Sequence, residues 1–105
     1  MTRYVYTDAM IKGFKDPNAE AIFKGKKPGK GFPSNIIRAA RRKLIMLHGA
    51  QTLDDLKNPP ANYLEALDRD REGQHSIRIN KQFRLCFVWT GSDAEDVEIV
   101  DYHKG

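Results

Sequence analysis

The chain has 105 residues, of which 40% are hydrophobic and 30% are charged, a balance typical of one small globular domain. No apolar run reaches the roughly 18 residues of a membrane span, and the N-terminus MTRYVYTDAM lacks the basic and apolar regions of a signal peptide. The single cysteine, Cys86, has no partner for an intramolecular disulfide. We therefore predict a cytoplasmic protein with no membrane contact, held together by packing alone.

The net charge of +4 is distributed unevenly along the chain. Residues 1–50 contain eleven Lys/Arg and three Asp/Glu, whereas residues 51–105 contain seven Lys/Arg and eleven Asp/Glu. Segment 24–43 contains eight basic residues and no acidic one, and such a one-sided field attracts polyanions. We predict that this segment contacts nucleic acid, the alternative being an ordinary solvated surface. Its loop contributes three lysines, Lys26, Lys27 and Lys30.

The N-terminal half has the periodicity and punctuation of helices. Residues 1–9 show no clear period and are interpreted as an extension outside a single domain spanning 10–105. Within that domain, 11–14 has the composition of an edge strand, and Pro17 suits the first turn of a short helix that ends at Gly25. Ser34 is the predicted N-cap of a long helix that runs to about His48. A further helical turn is predicted over 52–56.

From residue 63 onward the hydrophobic period changes from 3.6 to 2. In segment 83–89, Phe83 and Leu85 alternate with Arg84 and Cys86, so large apolar residues occupy one face and Arg84 the other. Helices followed by such strands predict an α+β fold, an antiparallel sheet of about four strands with two or three helices on one face. The predicted strands are 63–67, 75–80, 83–89 and 97–102, with a charged turn over 68–73.

Two kinds of site are not supported by the spacing of the relevant residues. The loop GKKPGKG has too few residues between its glycines for a phosphate-binding loop, and Gly31 stands where the hydroxyl that binds magnesium is required. His48, His75 and His103 fall in three different elements without a His/Cys pair at ligand spacing. Cys86 suits a core position better than a nucleophile. We therefore predict neither a metal site nor a cofactor.

The C-terminus, in contrast, combines groups that suit acid–base chemistry. Asp101, Tyr102 and His103 place a carboxylate, a phenol and an imidazole at the end of the last strand, the alternative being a polar tail. Arg78 and Arg84 lie in adjacent strands, opposite the large apolar residues, where arginine needs a carboxylate or a phosphate. Together these residues suffice for RNA cleavage without a metal, in which a base activates the ribose 2′-hydroxyl and arginines neutralise the phosphate.

The segment GQHSIRINKQFRLCF, followed by VEIVDYH, resembles the HigB branch of the RelE superfamily, toxins of bacterial type II toxin–antitoxin systems. The resemblance extends from Met10 to His103. It implies a compact α+β ribonuclease that enters the A site of the 70S ribosome and cuts translated mRNA. It also implies a HigA-like helix-turn-helix antitoxin that binds the toxin and represses the operon, so that the toxin contacts operator DNA only indirectly.

The resemblance also implies roles for individual residues. Asp101, Tyr102 and His103 match the catalytic cluster of the family, and Arg84 matches its arginine near the scissile phosphate. Three further positions match residues that face RNA, namely Gln82, which would contact a base, and Arg69 and Arg71 in the basic turn.

One position departs from the pattern of the family. Many relatives have a histidine where this chain has Glu65, so Glu65 is the candidate proton acceptor, with a salt bridge to Arg69 or Arg71 as the structural alternative. Two other functions stay open. The chain could be a non-catalytic RNA- or ribosome-binding domain, or a RelE-superfamily toxin with a different target, such as gyrase.

Overall fold

The computed structural model describes residues 11–102; the predicted extension 1–9 and His103 lie outside the described residues. Within that range two α-helices precede a four-stranded antiparallel sheet of order β1-β2-β3-β4, which confirms the predicted α+β class. The helices are α1 (Pro17–Phe23) and α2 (Ile37–Gly49), and the strands are β1 (Glu65–Ala66), β2 (Gln74–Arg78), β3 (Phe83–Trp89) and β4 (Ala94–Asp101). None of the helices in this range is both long and apolar enough to cross a membrane.

Helix α1 begins at Pro17, as predicted, and is joined to the sheet through its N-cap. The Asp16 side chain accepts a hydrogen bond from the backbone N–H of Asn18 at 2.9 Å, which satisfies one of the free donors of the first turn. Its second oxygen accepts from the backbone N–H of Ile99 at 3.1 Å. One carboxylate therefore caps α1 and holds it against β4.

Helix α2 differs from the prediction at its beginning. A 3-10 turn, Ser34–Ile36, precedes it, so Ser34 already lies inside the first turn and the prediction that Ser34 is the N-cap is wrong. Pro33 caps this turn and Ile36 caps α2 itself, and neither side chain accepts a capping hydrogen bond. Ala40, Leu44 and Leu47 are fully buried on one face, as their helical spacing predicts.

The connection from α2 to the sheet contains two short 3-10 turns. The turn at Leu53–Lys57, predicted as helical, opens on a capping box in which the side chains of Thr52 and Asp55 bond each other's backbone N–H. A second turn, Pro60–Asn62, leads to Tyr63, which adopts left-handed backbone angles. The strand predicted over 63–67 is reduced to Glu65–Ala66. At its start, the left-handed Tyr63 interrupts the extended chain.

The sheet has one face in the core and one face away from the helices. Ile77, Leu85 and Phe87 belong to the hydrophobic core together with Ile22 and Leu44 of the helices. The other face, here called the open face, carries the alternating side chains Ser76, Arg78, Arg84, Glu98 and Val100. The residues of β2, β3 and β4 on the open face therefore lie on the side of the sheet opposite the helices.

The segment before α1 lies along the outer edge of β4. It does not form the predicted strand; Ile11 and Phe14 instead make isolated parallel bridges to Ala94 and Val97. Only these two positions pair with β4, because the chain leaves the edge of the sheet at Asp16, the N-cap of α1.

Candidate active site

An arginine pair occupies the centre of the open face. Arg78 of β2 and Arg84 of β3 are direct partners in the antiparallel register, an arrangement in which like charges repel. The Arg84 side chain is only 13% exposed and is held firmly, since Nε donates to Ser76 Oγ at 2.8 Å and Nη2 donates to the backbone carbonyl of Tyr63 at 2.5 Å. The side chain of Arg78 is fixed more loosely, by one hydrogen bond from Nε to the carbonyl of Asn80.

Glu65 lies beside this arginine pair. Its Oε1 is 3.6 Å from Arg84 Nη2, and its side chain is 55% exposed. The predicted alternative, a salt bridge from Glu65 to Arg69 or Arg71, is therefore wrong: the partner is Arg84. The reason is that the register of β1 and β2 places Glu65 opposite Ser76, next to Arg84. A carboxylate with this exposure can also be reached by a bound hydroxyl.

Tyr102 extends over the open face from the C-terminal end of β4. Its ring centroid lies 5.9 Å from Arg84 Cζ, and its hydroxyl lies 4.0 Å from Cys86 Sγ. Burial, together with the neighbouring thiol, raises the pKa of the Tyr102 phenol, so at neutral pH the hydroxyl keeps its proton and can act as a donor. Burial likewise raises the pKa of Cys86, which is fully buried as predicted, although it lies on the open face as the register partner of Ser76 and Glu98.

Asp101 lies at the edge of the sheet, where its two faces meet. It is the register partner of Phe83, so it points to the opposite side from Tyr102, as the alternation predicts. Gln82 Nε2 donates to its Oδ2 at 3.2 Å, which brings two predicted site residues together. A hollow of about 200 Å³ at this edge is lined by Asp101, Tyr102, Val100 and Arg71.

Arg71 reaches the open face from the turn before β2. Its Nη1 donates to Glu98 Oε2 at 2.7 Å and to Gln74 Oε1 at 3.0 Å, and the hydrogen bond to Glu98 raises the pKa of Arg71. Arg71 is therefore tied to β4 across the sheet. Arg69, in contrast, is exposed and has a left-handed φ of 55°.

The loop GKKPGKG, residues 25–31, is here called the cationic loop. Its three lysines do not lie together at this site. Lys26, Lys27 and Lys30 are all exposed. Lys30 lines a cleft of about 550 Å³ on the helix side of β4, which also includes Asp101. Lys26 lines a different hollow, beside α1. Only Lys30 among the three is thus brought near Asp101 in the part of the chain that the structure describes.

The two described histidines have structural surroundings. His48 Nδ1 accepts from the backbone N–H of Ile11 at 3.5 Å, and the His75 ring stacks on Phe87 with centroids 6.4 Å apart. Across residues 11–102, no group of three or more His, Cys, Asp or Glu side chains is placed to hold a metal ion.

Three residues that support the site were not predicted from the sequence. Ser76 and Glu98 could have been found by extending the period-2 alternation of β2 and β4, which places both on the face of Arg84. The contribution of Tyr63 is a backbone carbonyl, which every residue possesses. No sequence signal identifies it.

Comparison with known proteins agrees with this architecture. A family model described as the RelE-like toxin of the type II toxin–antitoxin system HigB matches residues 12–103. Toxin HigB-1 of Vibrio cholerae serotype O1 is 41% identical over 95 residues, covering 90% of this chain and 99% of the relative. Endoribonuclease HigB of Proteus vulgaris is 30% identical over 94 residues, covering 90% of this chain and 100% of the relative.

The α+β fold is that of a RelE-like toxin. Within that class, the chain belongs to the HigB toxins of type II toxin–antitoxin systems. Membership of this family implies an antitoxin as partner.

Proposed function

We propose that this toxin is an endoribonuclease that cuts translated mRNA on the 70S ribosome, without a metal ion, by attack of a ribose 2′-hydroxyl. The observation that carries the proposal is the pair Arg78 and Arg84, opposed in register and flanked by the Tyr102 phenol. Two opposed guanidinium groups repel each other, and a bound phosphate relieves that repulsion by charge-assisted hydrogen bonds. The name of the Proteus vulgaris relative, Endoribonuclease HigB, supports the same activity.

The chemistry is assigned to five residues, of which Glu65 and Tyr102 lie beside Arg84. Glu65 accepts the proton of the 2′-hydroxyl, whose oxygen forms a new bond to phosphorus as the bond from phosphorus to the 5′-oxygen breaks. His103, assisted by Asp101 and Tyr102, supplies a proton to the departing 5′-oxygen. The guanidinium of Arg84 stabilises the charge that develops on the phosphate oxygens.

The remaining RNA contacts surround this centre. Gln82 contacts a base, while Arg69, Arg71 and the lysines of the loop bind the backbones of mRNA and ribosomal RNA. The partner that controls the toxin is a HigA-like helix-turn-helix antitoxin, through which alone the complex contacts operator DNA in the cytoplasm. Family membership supports this assignment of partners.

The substitution Arg84→Lys tests the proposal on purified toxin and programmed ribosomes. Lysine keeps the charge but cannot form the forked contact, so cleavage should fall much more than ribosome binding. Lys57→Arg, the reverse exchange at an exposed position outside segment 24–43, is the matched control and should leave both unchanged. Equal losses of cleavage and binding with Arg84→Lys would contradict a catalytic contact. If the wild-type toxin itself bound ribosomes but cut no mRNA, a non-catalytic ribosome-binding domain would be favoured.

A further inference from the structure

Tyr63 exposes an aromatic ring beside the arginine pair, and nothing described above explains why the side chain is aromatic. The residue is 57% exposed although it is large and apolar. Its ring lies 5.1 Å from Arg78 Cζ, at cation–π distance. Its carbonyl accepts the hydrogen bond from Arg84 Nη2. One residue thus contacts both members of the arginine pair.

The backbone of Tyr63 is fixed in a conformation that does not suit tyrosine. Its φ of 46° and ψ of 57° are left-handed, a region that glycine and asparagine occupy at lower cost. The preceding residue, Asn62, is fully buried and bonds Lys43 Nζ and the carbonyl of Leu56, so the position of Tyr63 is set by an anchored segment. Asparagine would present the same carbonyl to Arg84 with less strain. Holding Arg84 therefore does not explain why the side chain at this position is aromatic.

Resting on the proposed endoribonuclease function, we propose that Tyr63 stacks on a nucleobase next to the phosphate held by Arg84, with Arg78 closing the same subsite. Aromatic rings and guanidinium planes are the groups on which proteins stack unpaired RNA bases. Such stacking accepts any base, so this subsite positions the strand while leaving base choice to other contacts. In this proposal the stacked base neighbours the phosphate on Arg84, and the subsite thereby aligns the strand for attack by its own 2′-hydroxyl.

The test removes the ring while keeping the carbonyl that holds Arg84. Tyr63→Asn tolerates the left-handed backbone, and Tyr63→Phe retains a ring. The matched control is Ile45→Asn, because Ile45 on α2 is also 57% exposed. Each variant is assayed by single-turnover cleavage on ribosomes programmed with intact mRNA, or with mRNA that is abasic at one of the two nucleotides flanking the scissile phosphate.

Tyr63→Asn should raise the toxin concentration for half-maximal cleavage of intact mRNA by roughly 5- to 150-fold, the range of base–aromatic stacking. Tyr63→Phe and Ile45→Asn should stay close to wild type. On mRNA that lacks the stacked base, wild type should be as weak as Tyr63→Asn, and the substitution should have no further effect.

The same loss for Tyr63→Asn on intact mRNA and on both abasic mRNAs would overturn the inference, since the ring would then act only through the arginines. An unchanged Tyr63→Asn would overturn it as well. Binding to ribosomes carrying the same mRNAs with a 2′-deoxyribose at the cleavage position gives the same comparison without cleavage. Absence of cleavage by wild type would therefore count against the proposed function, whereas equal binding of intact and abasic mRNA would count against the stacking subsite.

Discussion

At the scale of single residues, the site depends on how Arg84 is held. Ser76 Oγ and the carbonyl of Tyr63 accept from two of its nitrogen atoms, and Glu65 lies within ion-pair distance. These contacts restrict the guanidinium to one orientation before any RNA arrives, which lowers the entropic cost of binding a phosphate. They also place a carboxylate beside the position where that phosphate is expected.

Replacement of Glu65 by Gln tests whether this carboxylate is the proton acceptor. Glutamine keeps the size and hydrogen-bonding capacity but cannot accept a proton, so the single-turnover rate of cleavage should fall by about 10²–10⁴-fold, the usual range for a general base. Glu65→His, which introduces the more common family residue, should preserve or raise the rate. A Glu65→Gln variant with wild-type rate would assign the base to His103, Asp101 or a bound water molecule.

At the scale of elements, two polar contacts hold the segments that carry the site. Arg71 joins the turn before β2 to Glu98 of β4, and Lys43 of α2 donates to Asn62 Oδ1 at 2.6 Å, next to Tyr63. Both contacts connect elements that are distant in sequence. Removal of either is expected to disturb the site through its supporting segment.

A double-mutant cycle measures the Arg71–Glu98 contact. We expect Arg71→Ala and Glu98→Ala to be coupled by about 1 kcal/mol in the free energy of unfolding, because the Glu98 carboxylate is only 15% exposed and accepts a charge-assisted hydrogen bond. The exposed pair Lys57 and Asp54 is the control and should show almost no coupling. Urea denaturation of the single and double variants gives both values, and equal coupling in the two pairs would contradict a supporting role for Arg71 and Glu98.

The buried Lys43 should make stability depend on pH. Burial, and secondarily the charge of Arg42, lowers the pKa of Lys43 below its usual 10.5, so the unfolded chain binds this proton more tightly than the folded chain. Between the lowered pKa of the folded chain and 10.5, the contribution of Lys43 to the free energy of unfolding therefore rises with pH. Compared with Lys43→Met, the wild type should gain free energy of unfolding as the pH is raised from neutrality toward 10.5.

Urea denaturation at several pH values measures this gain. The exposed-lysine variant Lys57→Met provides the general effect of removing one positive charge. A difference between wild type and Lys43→Met that stays constant over the whole interval would refute the role of Lys43.

At the scale of the whole molecule, the cationic loop and the arginine pair lie on different sides of the sheet. The loop that carries Lys26, Lys27 and Lys30 accompanies the helices, whereas Arg78 and Arg84 lie on the open face. The two regions approach each other at Asp101, which borders both the cleft with Lys30 and the hollow with Tyr102. Under the proposed function, mRNA would bind the open face and ribosomal RNA the side that carries the loop.

Joint neutralisation of Lys26, Lys27 and Lys30 tests the contribution of that loop. Binding to ribosomes should weaken, and the slope of log affinity against log salt should flatten by roughly 0.7–0.9 for each phosphate that the loop no longer neutralises. The rate of cleavage at saturating toxin should hardly change, since the lysines do not touch the arginine pair. A salt slope equal to that of wild type would show that the loop does not neutralise phosphates of the ribosome. The loop would then be an ordinary solvated surface or a contact for the antitoxin.

The sequence was sufficient for elements whose signals are local. Strand β3 covers the predicted residues, because large apolar side chains alternate through its whole length, and α1 begins at Pro17. Prediction failed where tertiary packing decides the backbone. The burial of Asn62 turns the chain at Tyr63 and shortens β1, and no local pattern encodes that.

The candidate site could be predicted in the same uneven way. The period of 2 places Arg78 and Arg84 on one face, and the structure confirms that placement. The Glu65–Arg84 contact depends on the register between β1 and β2, and the Arg71–Glu98 contact spans 27 residues. Contacts of this kind follow from strand pairing, which the sequence of one strand does not contain.

Attack by the ribose 2′-hydroxyl is best tested by cleavage of one mRNA on programmed ribosomes by the purified toxin, with and without a 2′-deoxyribose at the nucleotide before the scissile bond. We expect the all-ribose mRNA to be cut to a product ending in a 2′,3′-cyclic phosphate. The single deoxy substitution should abolish the cut, because it removes the attacking nucleophile. Cleavage of the deoxy-substituted mRNA at the same bond and the same rate would contradict attack by the 2′-hydroxyl and the mechanism assigned to the arginine pair.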